Sequence, residues 1–78
     1  MSEITTAMIV DCVRTISNKD IEEDTDIFAA GFDSLAVLRC RALLKAQTGV
    51  KVPGHVFFGG RTPAGIADLI GGGAHAGR

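Results

Sequence analysis

Residues 31–49 read GFDSLAVLRCRALLKAQTG and contain a helix start, a helix stop and apolar spacing between them. Asp33 has the short acceptor side chain that caps a helix N-terminus, and Gly49 is the residue type that most often ends one. The stretch therefore predicts a helix over residues 34–48. At 100° per residue it has two apolar stripes on opposite faces. One holds Val37, Cys40 and Leu44, and the other holds Leu35, Leu38, Ala42 and Ala46.

The second apolar stripe of this helix has two possible explanations. One stripe can face a core, but the other is flanked by Arg39 and Lys45. It is either covered by a neighbouring element or left exposed for a partner. The pattern alone leaves both open.

Another helix is predicted before this one. Apolar residues recur at helical spacing over residues 3–17, with Ser2 and Glu3 suited to the N-terminus and Asn18 to the stop. Residues 19–32 then form a long acidic loop with isolated apolar residues. Those residues indicate a loop pinned to the core.

Two shorter elements are predicted after Pro53, which favours extended backbone before it. A helical turn from His55 to Phe58 is interrupted by Gly59 and Gly60. Thr62 and Pro63 then supply an N-cap and a first helical residue. They open a final helix that ends at Ile70. Its expected core contacts are Ile66, Leu69 and Ile70.

These elements predict an all-α fold, a small four-helix bundle with three main helices, one short helix and a long first loop. We expect one domain over residues 1–70 and a flexible glycine-rich tail over residues 71–78. The sequence shows no internal repeat and no strand alternation.

Composition limits the function of the chain. It has 78 residues, 46% of them hydrophobic, and a formal net charge of -1. The near balance of charge argues against nucleic-acid binding, and no apolar run is long enough to span a membrane. With no leader pattern at its start, we expect a cytoplasmic protein. We also expect it to be a monomer. A chain this small favours a binding or carrier role over an enzyme.

The residues that often catalyse reactions or bind metals are sparse here. Cys12 and Cys40 lie in apolar periodic segments and are interpreted as reduced core thiols. His55 and His75 have no spacing that would make either one a base for Ser34. The cysteines and histidines are also too scattered for a metal site.

Ser34 is the exception, because it directly follows the capping Asp33 at a helix N-terminus. The positive end of the helix dipole and the first-turn N–H groups would stabilise a phosphate on its hydroxyl. The plainer interpretation is that the two residues simply start a helix well.

The chain from Ile21 onward resembles an acyl carrier domain of the polyketide-synthase type. The matching pieces are an IEEDTDIF loop, then GFDSL, then a helix ending QTGVKVP, then VFF, and then TP followed by Ile66, Ala67 and Leu69. Each piece is short, but their order and spacing together are specific. The resemblance covers about residues 4 to 70.

The resemblance implies that Ser34 receives a 4'-phosphopantetheine arm from coenzyme A, attached by a magnesium-dependent phosphopantetheinyl transferase that Asp33 assists. The arm would hold cargo as a thioester. The same resemblance assigns Leu35 and Leu38 to partner contact, and we expect Arg39 and Ala42 beside them. The implied partners act in trans: an acyltransferase, a ketosynthase, or adenylating and ligase enzymes.

Three functions remain open on the sequence. The first is an acyl carrier of polyketide, and hence secondary-metabolite, biosynthesis. The second is an aminoacyl or peptidyl carrier of a nonribosomal or hybrid pathway, whose sequences share the VFF and TP pieces. The third is an unmodified helical interaction module. Only the first two require a covalent arm on Ser34.

Overall fold

The structure, a computed structural model, describes residues 4–72 and is built from helices joined by one long loop. The helices are α1 (Thr6–Ser17), α2 (Ser34–Thr48), α3 (His55–Gly60) and α4 (Pro63–Ala67), and α4 runs on into a wider π-helical turn at Asp68–Gly72. No strand occurs within residues 4–72, so the predicted all-α bundle is confirmed. None of the helices described is long and apolar enough to cross a membrane.

Helix α1 starts later than the sequence predicted. The Thr5 hydroxyl accepts a hydrogen bond from the Met8 N–H at 3.2 Å and caps the helix, so α1 begins at Thr6 and the predicted start at residue 3 is wrong. Ile4 precedes the cap, with its side chain buried. The predicted stop is confirmed, because Asn18 takes the left-handed conformation at the C-cap.

Helix α2 has the predicted bounds. The Asp33 Oδ1 accepts from the Ala36 N–H at 2.9 Å. At the other end, Gly49 has a φ of 79°, and its N–H donates to the Lys45 carbonyl. The stripe through Val37 is buried, whereas the side chains of Leu35 and Leu38 are each 56% exposed. The second stripe of α2 is therefore not covered within the part of the chain described.

The core is assembled mainly from aliphatic side chains of all four helices and of the loop. Its buried hydrophobic members are Ile4, Ile9, Cys12, Val13, Ile21, Ile27, Phe32, Val37, Cys40, Leu44, Val52, Val56, Phe57 and Ile66. The loop contributes Ile21, Ile27 and Phe32 to this set. The prediction that isolated apolar residues pin the loop to the core is therefore confirmed.

Both cysteines are free and buried, as the sequence predicted. The Cys12 thiol points at the Cys40 carbonyl oxygen, with sulfur and oxygen 3.9 Å apart. Contact with the Cys12 thiol and burial both raise the pKa of the Cys40 thiol. Since the thiolate is the reactive form, Cys40 is an inert core residue.

Helix α3 includes both of its glycines, so the predicted interruption at Gly59-Gly60 is wrong. Gly60 is the last residue of the helix, and Arg61, whose φ is 64°, is its C-cap. Gly60 is needed for close packing: a Cβ there would lie 2.5 Å from the Ile66 backbone nitrogen. A Cβ on Gly65 would lie 2.6 Å from the Gly60 carbonyl oxygen. These two glycines let α3 and α4 touch backbone to backbone.

The final helical segment opens as predicted, with the Thr62 hydroxyl accepting from the Gly65 N–H at 3.0 Å. Ile66 is buried and Ile70 packs against the core, but Leu69 is 45% exposed. The prediction of Leu69 as a core contact is wrong, because the wider π turn after Ala67 changes which residues face inward. Of the tail predicted over residues 71–78, residues 73–78 lie outside the part described.

The long loop is tied to the helices by hydrogen bonds that involve its backbone. The Ile27 N–H donates to the Arg61 carbonyl, and the Ala64 N–H donates to the Glu23 carbonyl, both at 2.9 Å. At the start of the loop, the Arg14 Nε donates to the Ile21 carbonyl at 2.9 Å. The segment leading to α2 is thus held from both α1 and the α3–α4 junction.

An ion pair reinforces the same junction. The Nε and Nη2 of Arg61 both donate to one Asp26 oxygen, at 3.0 and 2.9 Å. The other Asp26 oxygen accepts from the N–H groups of Phe28 and Ala29. The Arg61 guanidinium also lies 5.4 Å from the centre of the Phe28 ring, which stacks on Phe58. We call Asp26, Phe28, Phe58 and Arg61 the loop clamp.

The loop clamp gives a prediction about acid stability. The hydrogen bonds from Arg61 lower the pKa of Asp26, and the N–H groups of Ala29 and Phe28 lower it further. Because the pKa of Asp26 is lower in the folded state, Asp26 adds to the free energy of unfolding at every pH above its unfolded pKa. This contribution is lost as the pH falls through the lower, folded value. We expect Arg61→Gln to raise the pKa of Asp26 towards its ordinary value, measured by NMR titration of its side chain.

The two oxygens of Asp26 can be separated by substitution. Asp26→Asn keeps an oxygen that can accept from the Phe28 and Ala29 N–H groups but loses the ion pair, whereas Asp26→Ala loses both. We expect Asp26→Ala to melt at a lower temperature than Asp26→Asn at neutral pH. Equal melting temperatures would mean that the turn hydrogen bonds do not stabilise the loop.

Candidate functional site

Ser34 is the first residue of α2, and its side chain is exposed. The chain reaches it through a tight turn in which Gly31 has a φ of 104°, a conformation that favours glycine. Phe32 is buried and fixes the turn to the core, and its N–H donates to the Ile27 carbonyl at 3.0 Å. A defined backbone therefore presents the Ser34 hydroxyl to solvent.

The first turn of α2 leaves hydrogen-bond donors beside that hydroxyl. Asp33 occupies the Ala36 N–H with its side chain and the Val37 N–H with its carbonyl oxygen. The N–H groups of Ser34 and Leu35 have no acceptor among residues 4–72. Unpaired first-turn donors and the helix dipole both favour negative charge here. An anionic group on the Ser34 oxygen would be stabilised at this position.

The histidines and the possible metal ligands are the other residues that could act together with Ser34. His55 is exposed at the first position of α3, and His75 lies outside the residues described. No group of three or more His, Cys, Asp or Glu side chains that could hold a metal ion is found in residues 4–72.

An open groove lies next to Ser34, between the end of α1 and the start of α2. We call it the α1–α2 groove, and its volume is about 350 Å³. Its lining comes from α1 and the residues after it, from the loop, and from α2. The lining residues are Ile16, Ser17, Lys19, Ala30, Gly31, Phe32, Asp33, Leu35, Ala36 and Arg39.

A second groove lies farther along α2. This α2 groove has a volume of about 230 Å³ and is lined by Leu38, Arg41, Ala42, Lys45, Lys51 and Val52. All its charged lining residues are cationic. One of them is held in place, because the Arg41 Nε donates to the Val52 carbonyl at 2.7 Å. The groove is thus lined by three apolar and three cationic residues.

The predicted partner-recognition residues all lie exposed on α2, but they fall into two groups. Leu35 and Arg39 line the α1–α2 groove, whereas Leu38 and Ala42 line the α2 groove. The second stripe of α2 is therefore an exposed ridge between the α1–α2 groove and the α2 groove. Whether partners use it stays a prediction.

Three cations at these grooves were missed from the sequence. Lys19 lies just after α1, Arg41 is partly buried on α2, and Lys51 belongs to the link after α2. Arg41 was indicated only in general terms, by its place between Arg39 and Lys45. Lys19 and Lys51 had no local signal, because the fold alone brings their segments to the grooves.

Comparison with known proteins places the chain in a family. The family model described as "Phosphopantetheine attachment site" matches residues 8–70. The phenolphthiocerol synthesis polyketide synthase type I Pks15/1 of Mycobacterium bovis is 37% identical over 54 residues, which is 69% of this chain. The Mycobacterium marinum protein with the same description is 38% identical over 55 residues, or 70% of the chain.

The matched region is a small part of those relatives, since the chain spans 3% of the length of each. The similarity therefore concerns a single carrier region rather than a whole synthase. The family match extends from within α1 to the final helical segment and takes in the loop and α2. This chain belongs to the phosphopantetheine attachment site family, as a carrier domain of the polyketide-synthase type.

Proposed function

We propose that the protein is an acyl carrier that holds biosynthetic intermediates on a 4'-phosphopantetheine arm attached to Ser34. It presents them to partner enzymes of polyketide biosynthesis. The observation that carries the proposal is the exposed Ser34 hydroxyl at the first position of α2, beside unpaired N–H groups. The carrier-region similarity to polyketide synthases supports the same function.

The residues at the start of α2 fit a phosphate ester. The N–H groups of Ser34 and Leu35 can stabilise its charge, and the exposed side chain leaves room for the ester to form. Asp33 keeps its capping bond to Ala36 and remains exposed, so a phosphopantetheinyl transferase can reach it. When bound, the arm supplies a terminal thiol that carries cargo as a thioester.

The protein's own part in this function is binding and presentation, without catalysis. Tethering raises the concentration of a cargo at each partner without any reaction by the carrier itself. The clamped loop contributes by fixing where Ser34 emerges. Free, buried cysteines suit the reducing cytoplasm, which is the compartment we propose.

The decisive experiment is intact mass spectrometry after incubation with coenzyme A, Mg²⁺ and a broad-specificity phosphopantetheinyl transferase. We expect the mass to rise by one phosphopantetheine. An unchanged mass would contradict both carrier functions and favour an unmodified interaction module. A transferase reaction with a known carrier protein, run in parallel, shows that the enzyme is active.

Cargo class is then tested on the loaded chain. We expect an acyltransferase of a polyketide pathway to acylate the arm faster than an amino-acid-adenylating enzyme aminoacylates it. Faster aminoacylation would replace the acyl carrier with an aminoacyl or peptidyl carrier. The mass of the loaded species identifies the cargo directly.

The exposed ridge of α2 is the surface we propose for partner contact. Leu35, Leu38 and Ala42 supply apolar area, with Arg39 and Lys45 beside them. Apolar residues surrounded by charges are typical of small, transient interfaces. A partner suited to this ridge offers apolar side chains flanked by carboxylates.

This surface predicts two different mutational effects on cargo loading by a cognate acyltransferase. Leu38→Ala should slow loading at every salt concentration, because it removes apolar contact area. Arg39→Glu should slow loading mainly at low salt, because exposed charges act on the association rate and are screened by ions. Loading rates measured across a salt series separate the two.

Leu44→Ala is a useful comparison, because Leu44 is fully buried on the opposite stripe. We expect it to lower the melting temperature, whereas Leu38→Ala should leave folding nearly unchanged. The proposal fails if Leu38→Ala receives cargo at the wild-type rate. It also fails if Arg39→Glu does not slow cargo loading at low ionic strength.

A further inference from the structure

The α1–α2 groove begins beside the proposed attachment residue. Asp33 and Leu35, the two neighbours of Ser34 in the chain, both line it. A group attached to the Ser34 oxygen therefore starts at the edge of this groove. The α2 groove has no such relation, since its nearest lining residue along the chain is Leu38.

The lining of the α1–α2 groove is mixed in polarity. Ile16, Phe32 and Leu35 supply apolar surface, whereas Ser17 and the charged residues supply polar atoms. A phosphopantetheine arm has the same mixture, with methyl and methylene groups between amides and a phosphate at one end. A purely hydrocarbon chain would match the mainly apolar α2 groove better.

The charges on the groove also suit that arm. Lys19 approaches from the segment after α1 and Arg39 from α2. Neither forms an ion pair within residues 4–72, where the ion pair observed is Arg61–Asp26. The one acid in the lining, Asp33, is engaged with the Ala36 N–H. With two cations and one acid in its lining, the groove has a net positive charge, which attracts a phosphodiester.

Groove size limits what the occupant is. Small-molecule sites commonly have volumes of about 300 to 1,000 Å³. At about 350 Å³, the α1–α2 groove lies near the lower end of that range. It has room for the phosphate-proximal part of an arm but not for the whole arm together with a long acyl chain.

We propose that the α1–α2 groove is a resting site for the phosphopantetheine arm of this protein. Lys19 and Arg39 attract its phosphate, and the apolar lining contacts its methyl groups. This inference rests on the proposed attachment at Ser34. In the resting position the arm lies along the carrier, and a partner that contacts Leu35 or Arg39 competes with it. Partner binding would then release the arm towards the partner.

The test is NMR of the loaded chain, with ¹³C,¹⁵N-labelled protein and an unlabelled arm. We expect isotope-filtered nuclear Overhauser effects between the methyl groups of the arm and the side chains of Ile16 and Leu35. Amide shifts of Lys19 should also differ between the unloaded and loaded chains. Shift changes confined to residues 33–37, with no such contacts, would overturn the resting site.

Charge reversal gives a matched comparison. We expect the double variant Lys19→Glu/Arg39→Glu to lose the arm contacts, whereas Lys45→Glu/Lys51→Glu, with the same change of charge at the α2 groove, retains them. Loss in both variants, or in neither, would contradict the proposed role of the two cations.

Intact mass of each sample separates this inference from the proposed function. A loaded chain without groove contacts contradicts the resting site alone. A wild-type chain that gains no mass contradicts the attachment at Ser34 and the resting site together.

Discussion

Ser34→Ala is expected to abolish the mass gain on incubation with coenzyme A and the transferase, while leaving the fold almost unchanged. The substitution removes the only atom proposed to take the phosphate. The cap of α2 survives, because it comes from Asp33, whose side chain bonds the Ala36 N–H at 2.9 Å. Alanine is also the best helix former at an exposed helical position. Intact mass and thermal melting measure the two effects separately.

Ser17→Ala is the matched control for this prediction. Ser17 ends α1, and its hydroxyl donates to the Val13 carbonyl, so it is a partly buried serine at the other side of the α1–α2 groove. We expect Ser17→Ala to gain the full mass of one phosphopantetheine. A mass gain in Ser34→Ala would place the attachment elsewhere. A stability loss beyond about 1 kcal/mol, the usual scale for a lost cap, would make Ser34 a structural residue.

Helix α2 could be predicted well because its determinants are local. Its start depends on Asp33 and the next few N–H groups, and its end depends on Gly49. Both apolar stripes follow from helical spacing, although spacing leaves open whether the second one is covered. Ser34 was singled out for the same reason, since its place at the start of α2 follows from the residues beside it.

The errors fall where contacts between distant segments decide the local structure. The sequence predicts that Gly59 and Gly60 interrupt the helix, but both belong to α3, and α4 packs against the Gly60 backbone. Leu69 has a core-like spacing, yet it lies within the π turn, whose formation depends on how the final segment packs. Helical periodicity contains no information about either contact.

The surroundings of Ser34 were harder to predict than Ser34 itself. The grooves on both sides of the α2 ridge combine residues from separate segments, such as Lys19 with Arg39 and Lys51 with Arg41. The loop clamp joins Asp26 to Arg61 across the chain. These arrangements follow from the packed fold, so only their residue types were visible beforehand.

We expect Gly60→Ala to lower the free energy of unfolding more than any other methyl group added at a glycine discussed above. The added carbon would lie 2.5 Å from the Ile66 nitrogen and 2.7 Å from the Gly65 carbonyl carbon. Both atoms are backbone, so relief requires α3 and α4 to move apart. Overpacking of this kind costs about 1–3 kcal/mol. That is a large share of the roughly 5–15 kcal/mol that keeps a domain folded. Urea unfolding followed by circular dichroism measures the loss.

The adjacent glycine provides the control, and the loop connects this packing to function. A Cβ on Gly59 would meet only the Leu69 Cδ1, at 3.2 Å, and that exposed side chain can turn away. We therefore expect Gly59→Ala to be neutral or slightly stabilising. Moving α4 away from α3 would also strain the hydrogen bonds from Ile27 to Arg61 and from Ala64 to Glu23, which hold the loop before Ser34. Gly60→Ala should then gain the phosphopantetheine arm more slowly than Gly59→Ala, although its Ser34 is intact. Equal unfolding midpoints for the two variants would contradict the close packing of α3 on α4.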